Sequence, residues 1–546
     1  MAEIRPEAFG GQLWRLVVLL VAAVLLGAVL PVGATAAGDP TGALTGGAVD
    51  IGAAQPGQPT LAEVAAQVGK NKVAINLTWV LLTGFLVFFM QAGFALVETG
   101  FTRAKNAAHT MTMNLMVFLV GALGFWLVGF PLMFGNFGAI GTLGGQSILS
   151  KGLSVGGWNL LGNSGWFLSG MAYDVTVVAL FLFQMVFMDT AATIPTGGMA
   201  ERVKFSGVVA STFFISMFLY PVFGNWVWGG GWLAQLGAKL GLGHGAVDFA
   251  GSSVVHMIGG AAALAGAAVL GPRLGKYKPD GTPNALPGHD LPMAVLGTII
   301  LFFGWFGFNP GSTLAATDLR MAVVAVNTML AGAAGGFASM VYHWLRYGKP
   351  DPSMVCNGTL AGLVAITAPS AFVNPTASVI IGLIAGVLVV ESVFFIDRRL
   401  RIDDPVGAVS VHFVNGAWGI IAVGLFADGT YGEGLNGVKG AVTGLLYGGG
   451  FGQLYAQLID VGVAALWGLG MAYAFYKAYH AAFGLRSKAE NELAGLDLPE
   501  MGVFGYPEFP LTTDGHIAAA RRRALNPEYH SGLRPASAPS GQHVET

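Results

Sequence analysis

Two histidines within apolar segments are the residues of this sequence best suited to do chemistry. His256 follows Asp248 by eight positions in DFAGSSVVH, and His412 follows Asp404 by eight positions in DPVGAVSVH. Either histidine alone is more simply explained as a core side chain bonded to a carbonyl, but the matched spacing favours a functional pair. A neutral imidazole has one donor and one acceptor nitrogen. Two adjacent rings can therefore pass a small hydrogen-bonding molecule, or a proton, along an apolar tube.

The composition of the chain indicates that such a tube would cross a membrane. Of 546 residues, 54% are hydrophobic and 10% are charged, which is far from the average of soluble proteins. The sequence holds 83 glycines, and small residues let transmembrane helices approach one another closely. We expect a tightly packed, all-α membrane protein.

Charge and cysteine content exclude several other classes of function. The net charge of −2 offers no extended basic surface for a phosphate backbone, so nucleic acid is an unexpected partner. Cys356 is the only cysteine, which rules out an intrachain disulfide and a cysteine-rich zinc site. We expect no cofactor, no metal and no enzymatic activity.

The N-terminal segment has the organisation of a signal peptide. Arg15 precedes an apolar run over 16–30 and a small-residue stretch, ATAA, at 34–37, a pattern that signal peptidase cuts. The rival interpretation is a retained membrane helix, although about 15 apolar residues are short for a span. We assign 1–37 to a signal peptide and 38–72, rich in Gly, Ala, Pro and Gln, to an outer linker.

Apolar runs long enough to cross a bilayer recur eleven times in a domain over 73–484. They lie at 75–97, 110–134, 171–198, 205–225, 249–271, 291–309, 321–345, 355–370, 376–396, 409–427 and 455–483. A helix of about 20 residues crosses about 30 Å of hydrocarbon. The sequence therefore predicts eleven transmembrane helices.

The distribution of Lys and Arg among the connecting loops orients these helices. The odd-numbered loops hold Arg103, Lys105, Arg202, Lys204, Arg273, Lys276, Lys278, Arg346, Lys349, Arg398, Arg399 and Arg401, and the even-numbered loops hold Lys151, Lys239, Arg320 and Lys439. Cytoplasmic loops carry the excess of basic residues. We expect a multi-pass protein of the cell membrane with its N-terminus outside and its tail, 485–546, in the cytoplasm.

The two histidine motifs also define an internal repeat. They open the fifth and the tenth spans, so the two halves of five helices have opposite orientations, and one additional C-terminal helix follows them. In such inverted repeats, substrate sites lie near the midplane at the interface of the halves. Eight helical residues rise about 12 Å. Histidines entering from opposite faces would therefore meet near the middle of the membrane.

Four segments resemble the signatures of the Amt branch of the Amt/Rh ammonium transporter family. They are VFGNWVWGGGWLA at 222–234, DFAGSSVVHMIGG at 248–260, GWFGFNPGS at 304–312 and DDPVGAVSVHFVNGAWG at 403–419. The resemblance implies transport of ammonium or ammonia through a pore lined by the twin histidines. It also implies a homotrimer whose cytoplasmic face can bind a PII-type nitrogen-regulatory protein.

The same resemblance implies roles for aromatic and hydroxyl side chains. Trp228 and Ser312 match an outer site where ammonium exchanges water for an aromatic face and a hydroxyl acceptor. Phe187 and Phe308 match two stacked gate phenylalanines, and Trp305 matches a tryptophan of the pore wall. Without the motifs, Trp228 would be assigned to the membrane interface, the two phenylalanines to a lipid-facing or core position, and Trp305 to core packing.

The acidic residues carry weaker signals. Asp248 matches an acid beneath the recruitment site, although an Asp that opens a helix more often caps free amide groups. Asp404 is assigned to capping alone. Asp189, inside the third span, must be paired, protonated or hydrated. We expect it to bond to Thr190 or to a neighbouring helix, and a role in the pathway is the less favoured alternative. Glu98 and Glu201 are expected to form local ion pairs with the arginines that follow them in the sequence.

Three other functions remain open at this point. An Rh-type gas channel would have the same fold, but Trp228 and Phe308 favour the Amt branch. A plain water pore would not need an aromatic face that attracts cations. An ammonium sensor that signals through a separate partner has no sequence feature against it.

Overall fold

The computed structural model describes residues 61–145, 149–431 and 440–507. The predicted signal peptide, most of the predicted linker and the tail beyond 507 lie outside these residues. Within them the chain is predominantly helical, as expected for a membrane bundle.

The described residues contain ten helices that are long and apolar enough to cross a membrane, and a shorter apolar helix between the seventh and the eighth of them. In chain order these are α1 Leu61–Phe101, α2 Ala104–Phe134, α3 Val175–Met199, α4 Phe205–Val227, α5 Ser252–Leu270, α6 Leu291–Gly311, α7 Met321–Tyr347, α8 Pro352–Thr367, α9 Pro375–Leu400, α10 Val409–Phe426 and α11 Gly452–Phe483. Every predicted span corresponds to one of these helices, which confirms the prediction of eleven.

Short elements occupy the connections. The α2–α3 connection holds a hairpin of β1 Gly152–Val155 and β2 Trp158–Gly162, with Leu153 paired to Leu161. The single-turn helices are Gly141–Leu143, Trp166–Leu168, Gly170–Ala172, Leu236–Leu240 and Leu445–Tyr447, and the tail contains Ala489–Ala494 and Asp497–Met501. The hydropathy of the sequence predicts none of these elements.

Two helix starts differ from the sequence prediction. Helix α1 begins at Leu61, inside the segment expected to be a linker, because good helix formers such as Ala, Glu, Gln and Lys continue the helix beyond the apolar run. Helix α3 begins at Val175 rather than at 171. The Asp174 carboxylate accepts a hydrogen bond from Thr176 N (2.9 Å) and fixes the helix start there.

The packing of the helices repeats at an interval of five. Helix α1 packs on α6, the α2–α4 contact has its counterpart in α7–α9, and the α3–α5 contact has its counterpart in α8–α10. Helices α5 and α10, which carry the two histidine motifs, cross at the centre, and α11 packs on α5 from outside the repeat. The structure thus has the predicted inverted five-plus-five arrangement with one additional helix.

Glycines allow the close approach of α1 and α6. A Cβ atom on Gly297 would lie 2.7 Å from Gly93 O and 2.7 Å from Val97 N, and a Cβ atom on Gly93 would lie 2.8 Å from the Leu301 side chain. No such atom fits without moving a backbone. In a lipid bilayer no hydrophobic force drives helices together, and the close packing of small residues stabilises their contact instead.

A buried ion network connects the two halves at the ends of α3, α5 and α9. Arg273 donates to Asp403 Oδ2 (2.9 Å) and Oδ1 (3.0 Å) and to Glu201 Oε1 (2.7 Å), while Glu201 also accepts from Arg103. Burial raises the pKa of Asp403, but the hydrogen bonds and charge of Arg273 outweigh it and hold that pKa below its usual range. The expected pairing of Glu201 with Arg202 is wrong, because Arg202 donates to backbone carbonyls instead.

The described part of the tail, 485–507, is attached to the start of α2. The Asp497 carboxylate accepts from His109 N (2.9 Å), and Leu496 N donates to Asn106 Oδ1 (2.9 Å). Asp497 therefore satisfies an amide group in the first turn of a membrane helix, a role that a local capping residue usually has. The tail lies on the same face of the molecule as the basic α1–α2 loop.

Candidate conduction site

The structure brings the two histidines into direct contact. The distance from His256 Nδ1 to His412 Nδ1 is 3.1 Å, and the rings are stacked with an interplanar angle of 23°. Because both nitrogens of this bond are Nδ1 atoms, one ring donates its N–H and the other accepts it. The side chains are 0% and 5% exposed. The pair therefore forms a buried, directional hydrogen bond between the two halves.

The same local structure positions each histidine. An Asp-x-x-Gly sequence leads into each helix, and the glycines, Gly251 (φ 122°) and Gly407 (φ 83°), adopt a backbone conformation that residues with a Cβ atom rarely adopt. Each histidine then lies in a single wide helical turn, Ser252–Met257 or Val409–Val414. Such π-turns are frequent at functional sites.

Aromatic rings from α6 cover one of the two histidines, His256. The Trp305 ring stacks on His256 at 5.3 Å and 21°, and the Phe308 ring stacks on it at 5.6 Å and 26°. Trp305 Nε1 donates to Thr367 Oγ1 (3.0 Å), which fixes the orientation of the indole. Trp305 is thereby held against the His256 ring.

Sequence reasoning missed the aromatic residue beside the second histidine. The Phe94 ring on α1 lies 6.2 Å from the His412 ring. A signal for it was present, because Gly93-Phe94 in α1 repeats Gly304-Trp305 in α6, the equivalent helix of the other half. Mapping the pore wall through the repeat would have identified it.

The two predicted gate residues are stacked on each other. The Phe187 and Phe308 ring centroids are 4.0 Å apart at an interplanar angle of 22°, and both side chains are fully buried. The Phe183 ring lies 4.7 Å from that of Phe187. Rings at this distance leave no space for water between them, so the stack leaves no open path next to His256.

The predicted outer residues lie next to this stack. The Trp228 ring makes an edge contact with Phe187 at 6.1 Å, and its Nε1 donates to Asp248 O (2.6 Å). With 2% of its surface exposed, Trp228 is not an aromatic residue of the lipid interface. Ser312, one turn beyond Phe308, donates to Phe308 O (2.8 Å), which leaves the lone pairs of its hydroxyl oxygen available.

Asp248 is a capping residue with all of its acceptor positions occupied. Its Oδ1 accepts from Gly251 N (2.8 Å) and Ser252 N (2.9 Å), and its Oδ2 accepts from Ser253 N (2.8 Å), Val254 N (3.0 Å) and Ser253 Oγ (2.9 Å). A carboxylate has about four lone-pair sites. The geometry therefore agrees with the capping interpretation, and the acid contributes its negative charge through the amide groups that it holds.

The second half contains a weaker version of this cap. Asp404 accepts from Gly407 N (3.1 Å) and Val409 N (2.7 Å), as the capping assignment requires. The Glu98 side chain lies near it and accepts from Asn114 Nδ2 (2.9 Å) and Thr196 Oγ1 (2.8 Å). The expected ion pair of Glu98 with an arginine is therefore wrong.

Asp189 is buried and lacks the threonine bond expected for it. Thr190 donates to Val186 O (3.0 Å), and Thr193 donates to the backbone oxygen of Asp189 (2.9 Å) rather than to its carboxylate. Among the described residues its Oδ1 has no hydrogen-bond partner. Both hydroxyl groups instead donate to the carbonyl oxygen of the residue four positions earlier in the helix.

Comparison with known proteins identifies the family of the chain. Residues 78–506 match the model of the Ammonium Transporter Family. Ammonium transporter Amt2 of Archaeoglobus fulgidus is 48% identical over 445 residues, covering 81% of this chain and 90% of the relative. Ammonium transporter 1 member 3 of Solanum lycopersicum is 35% identical over 450 residues, covering 79% and 93%.

Solved structures show the same fold. A protein described as a sensor Amt protein superimposes with a TM-score of 0.69 at 38% identity, covering 79% of this chain and 99% of its own. Candida albicans Mep2 superimposes with a TM-score of 0.66 at 28% identity, covering 80% and 92%. With its eleven-helix inverted repeat and its motifs in the expected order, this chain belongs to the ammonium transporter family and resembles its Amt members.

Proposed function

We propose that the protein transports ammonium across the membrane by conducting ammonia. In this mechanism Trp228 and Ser312 recruit ammonium at the outer site, beneath which Asp248 supplies negative charge. The ammonium then gives up its proton. Ammonia passes the gate of Phe187 and Phe308 and continues along the histidine pair.

The continuous buried column is the observation that carries this proposal. The Trp228 ring contacts Phe187, the Phe187 ring stacks on Phe308, and the Phe308 ring stacks on His256. His256 is hydrogen-bonded in turn to His412. A cation-attracting aromatic ring is thus joined to a hydrogen-bonding pair through an apolar constriction.

Energetic cost favours the neutral species in this column. An ion that passes between Phe187 and Phe308 loses its hydration shell, and a charge without partners in an apolar interior is very costly. Ammonia has few hydrogen bonds to replace, and His256 and His412 can provide them. Potassium cannot release a proton, so the same step provides selectivity.

The proposed setting is the cell membrane, with the N-terminus outside after signal-peptide cleavage at about residue 37 and the tail inside. The excess of basic residues in alternate loops supports this orientation. The described tail supports it as well, because it is bound to the basic α1–α2 loop through Lys105, whose ammonium group donates to Leu493 O (2.7 Å). A PII-type protein would bind at this cytoplasmic face.

A homotrimer in the lipid bilayer is the proposed assembly. Large apolar side chains on the described helices are exposed in the isolated chain, among them Phe85 (54%), Phe303 (53%), Phe337 (56%) and Leu466 (79%). Apolar surface of this extent needs lipid or further subunits to cover it.

An ammonium sensor is the second candidate function. It is favoured by one observation, the superposition with a protein described as a sensor Amt protein. A sensor would bind ammonium at the same outer residues and would transmit the signal through the docked tail. A measurement of transport distinguishes the two functions, because a protein that acts only as a sensor does not need to pass ammonium across the membrane.

Uptake of labelled methylammonium into proteoliposomes tests the proposal. We expect uptake by the wild type and its loss in the His256→Ala/His412→Ala double variant. His343→Ala is the matched control, because His343 lies on α7 with its Nδ1 bonded to Lys349 O and outside the column. Absence of ammonium-dependent flux in well-reconstituted wild-type protein would contradict transport and favour the sensor. Unchanged flux and selectivity in the double variant would remove the histidines from the mechanism.

A further inference from the structure

A buried acid on α11 has no function in the mechanism described so far. Asp460 is 0% exposed, and neither of its carboxylate oxygens has a hydrogen-bond partner among the described residues. A buried carboxylate without donors is very costly if it is ionised. Helix α11 also stands outside the inverted repeat, so Asp460 has no counterpart in the other half.

Two glutamines on α11 hold Asp460 close to the segment that leads to Asp248. Gln457 accepts from Val247 N (2.8 Å) and donates to Val247 O (2.7 Å), and Gln453 donates to Gly245 O (2.9 Å). These bonds attach one face of α11 to the segment that leads to Asp248. Asp460 is the next residue on this buried face.

Asp460 consequently lies beside the cap of α5. Its electrostatic neighbours are the Asp248 carboxylate and the Ser253 side chain. The Ser253 hydroxyl donates to Asp248 Oδ2 (2.9 Å), so the acceptor positions of Asp248 are occupied while those of Asp460 are not. Two neighbouring buried carboxylates cannot both keep their charge without a cation or a proton between them.

An independent observation indicates that this region is built to hold a polar occupant. The phenol of Tyr220 on α4 is fully buried, and its hydroxyl has no hydrogen-bond partner within the described structure. Its electrostatic neighbour is Asp248. Helices α4, α5 and α11 therefore all direct polar groups toward the same interior region, next to the segment that holds Trp228 through Asp248 O.

We propose that Asp460 and Asp248 are a carboxyl pair that shares one proton through the Ser253 hydroxyl and exchanges this proton for the incoming ammonium ion. This inference rests on the proposed transport function and adds to it the group that holds the proton. Asp248, with five hydrogen bonds to its oxygens, remains ionised. Asp460 carries the proton, and the neighbouring Ser253 hydroxyl can relay it to Asp248 when Asp460 comes within hydrogen-bond distance of Ser253 Oγ.

The exchange balances atoms and charge. When ammonium arrives, the O–H bond of Asp460 breaks, its electron pair stays on oxygen, and the proton leaves to the outer water. The charge of ammonium replaces the charge of the proton. When ammonia enters the gate, an N–H bond breaks with its electron pair left on nitrogen, and the proton forms the O–H bond of Asp460 again. The site therefore keeps the same net charge throughout.

Few other groups near Asp460 could release or take up a proton. Among the described side chains of the elements packed around Asp460, the titratable ones are Tyr220, Asp248 and His256, and Tyr455 is the nearest on α11 itself. His244 lies in the segment that Gln453 holds, but its ring is bonded to Ala441 O in the α10–α11 connection. His256 is engaged with His412. Phenols titrate far above neutral pH. The Asp460/Asp248 pair is the remaining candidate for proton exchange.

Proton release on cation binding tests this inference. Methylammonium chloride is added to purified full-length protein in weakly buffered nanodiscs with a pH indicator, and choline chloride serves as the blank. We expect the wild type to release up to about one proton per chain and its apparent affinity to weaken by up to about tenfold per unit fall in pH, as linkage requires. Asp460→Asn should lose most of the release, and Asp460→Glu should restore it.

Two controls keep the outcome decisive. Asp428→Asn removes a carboxylate of the α10–α11 connection, whose oxygen accepts from Thr430 N (3.0 Å), and should leave the release unchanged. Ser253→Ala should reduce it by interrupting the relay, and this variant serves if Asp460→Asn does not fold. The inference would be overturned, and the proposed transport function would stand, if wild-type protein that takes up methylammonium in proteoliposomes releases no protons in nanodiscs. Equal release by Asp460→Asn and the wild type would have the same consequence. Absence of uptake by the wild type would instead overturn the proposed function.

Discussion

The two histidine motifs have the same backbone design but different surroundings. Both have an Asp-x-x-Gly entry, a glycine at positive φ and a π-turn that carries the histidine. Asp248 in the first motif accepts five hydrogen bonds, whereas Asp404 in the second motif accepts two from backbone amides. The repeat therefore fixes where the histidines lie, and the surroundings of each motif determine its task.

The aromatic side chains differ between the halves as well. The rings of Trp305 and Phe308 both stack on His256, and Phe187 closes the column above Phe308. In the described structure, His412 has Phe94 as its aromatic neighbour at 6.2 Å. A dehydrating constriction is thus built at one side of the histidine pair. This asymmetry is consistent with the proposal that recruitment and deprotonation take place on the Phe187/Phe308 side of the pair.

Removing the two capping acids should give the largest difference between the halves. Asp248→Ala leaves four buried amide donors without acceptors, so we expect a loss of about 3 kcal/mol or more in the free energy of unfolding. Asp404→Ala removes two bonds and should cost about 1 kcal/mol. SDS titration in mixed micelles measures both. Equal losses would show that the caps are equivalent.

Opening the aromatic column should affect selectivity on one side only. Phe308→Ala admits water next to His256, so potassium permeation should rise by about tenfold, corresponding to about 1.4 kcal/mol of restored hydration. Phe94→Ala is the matched variant on the inner side and should change permeation by less than about twofold. Potassium flux in proteoliposomes measures the effect. A comparable leak through both variants would contradict a one-sided gate.

In the proposed mechanism, Trp228 acts in recruitment and Trp305 acts in conduction. Trp228→Leu removes a cation–π contact of about 0.5–2 kcal/mol, so the apparent affinity for methylammonium should fall by about two- to thirtyfold. Trp305→Leu should lower the maximal flux instead, because Trp305 packs on His256 below the gate. Concentration-dependent uptake distinguishes these effects. The assignment fails if both variants change the same parameter.

The buried ion network at the ends of α3, α5 and α9 should make the free energy of unfolding depend on pH in the acid range. Because the pKa of Asp403 is lowered in the folded state, its contribution is present above its unfolded pKa of about 4 and is lost as the pH falls through the folded value. We expect the free energy of unfolding to fall by about 1 kcal/mol or more as the pH is lowered from 5 to about 3. Asp403→Asn should lack this part of the pH dependence. A wild-type profile that the substitution leaves unchanged would place the acid sensitivity elsewhere.

The membrane topology could be predicted from sequence because its signals are local. Hydropathy and the alternation of basic loops located all eleven helices, and the Asp-to-His spacing identified the repeat. Capping moved the start of α3 to Val175, a distinction that hydropathy does not make. The hairpin between α2 and α3 has no hydrophobic period that would separate it from a loop.

The contacts of the acidic residues depend on packing and were harder to predict. Glu201 pairs with Arg103 and Arg273, which are distant in sequence, rather than with the adjacent arginine. Asp460 lies inside a predicted span, where any ionisable residue indicates function, and yet the sequence alone did not single it out. Its relation to Asp248 depends on how α11 packs against α5, which no local pattern specifies.

The most direct test of the central claim compares two cations on the same protein. Proteoliposomes are given labelled methylammonium and labelled potassium at equal concentrations, and the uptake of each is followed in the presence of an excess of the other. If the substrate crosses as a neutral amine between His256 and His412, methylammonium accumulates and potassium stays outside. Potassium uptake at a comparable rate would contradict the account, because a path that passes potassium does not require loss of a proton.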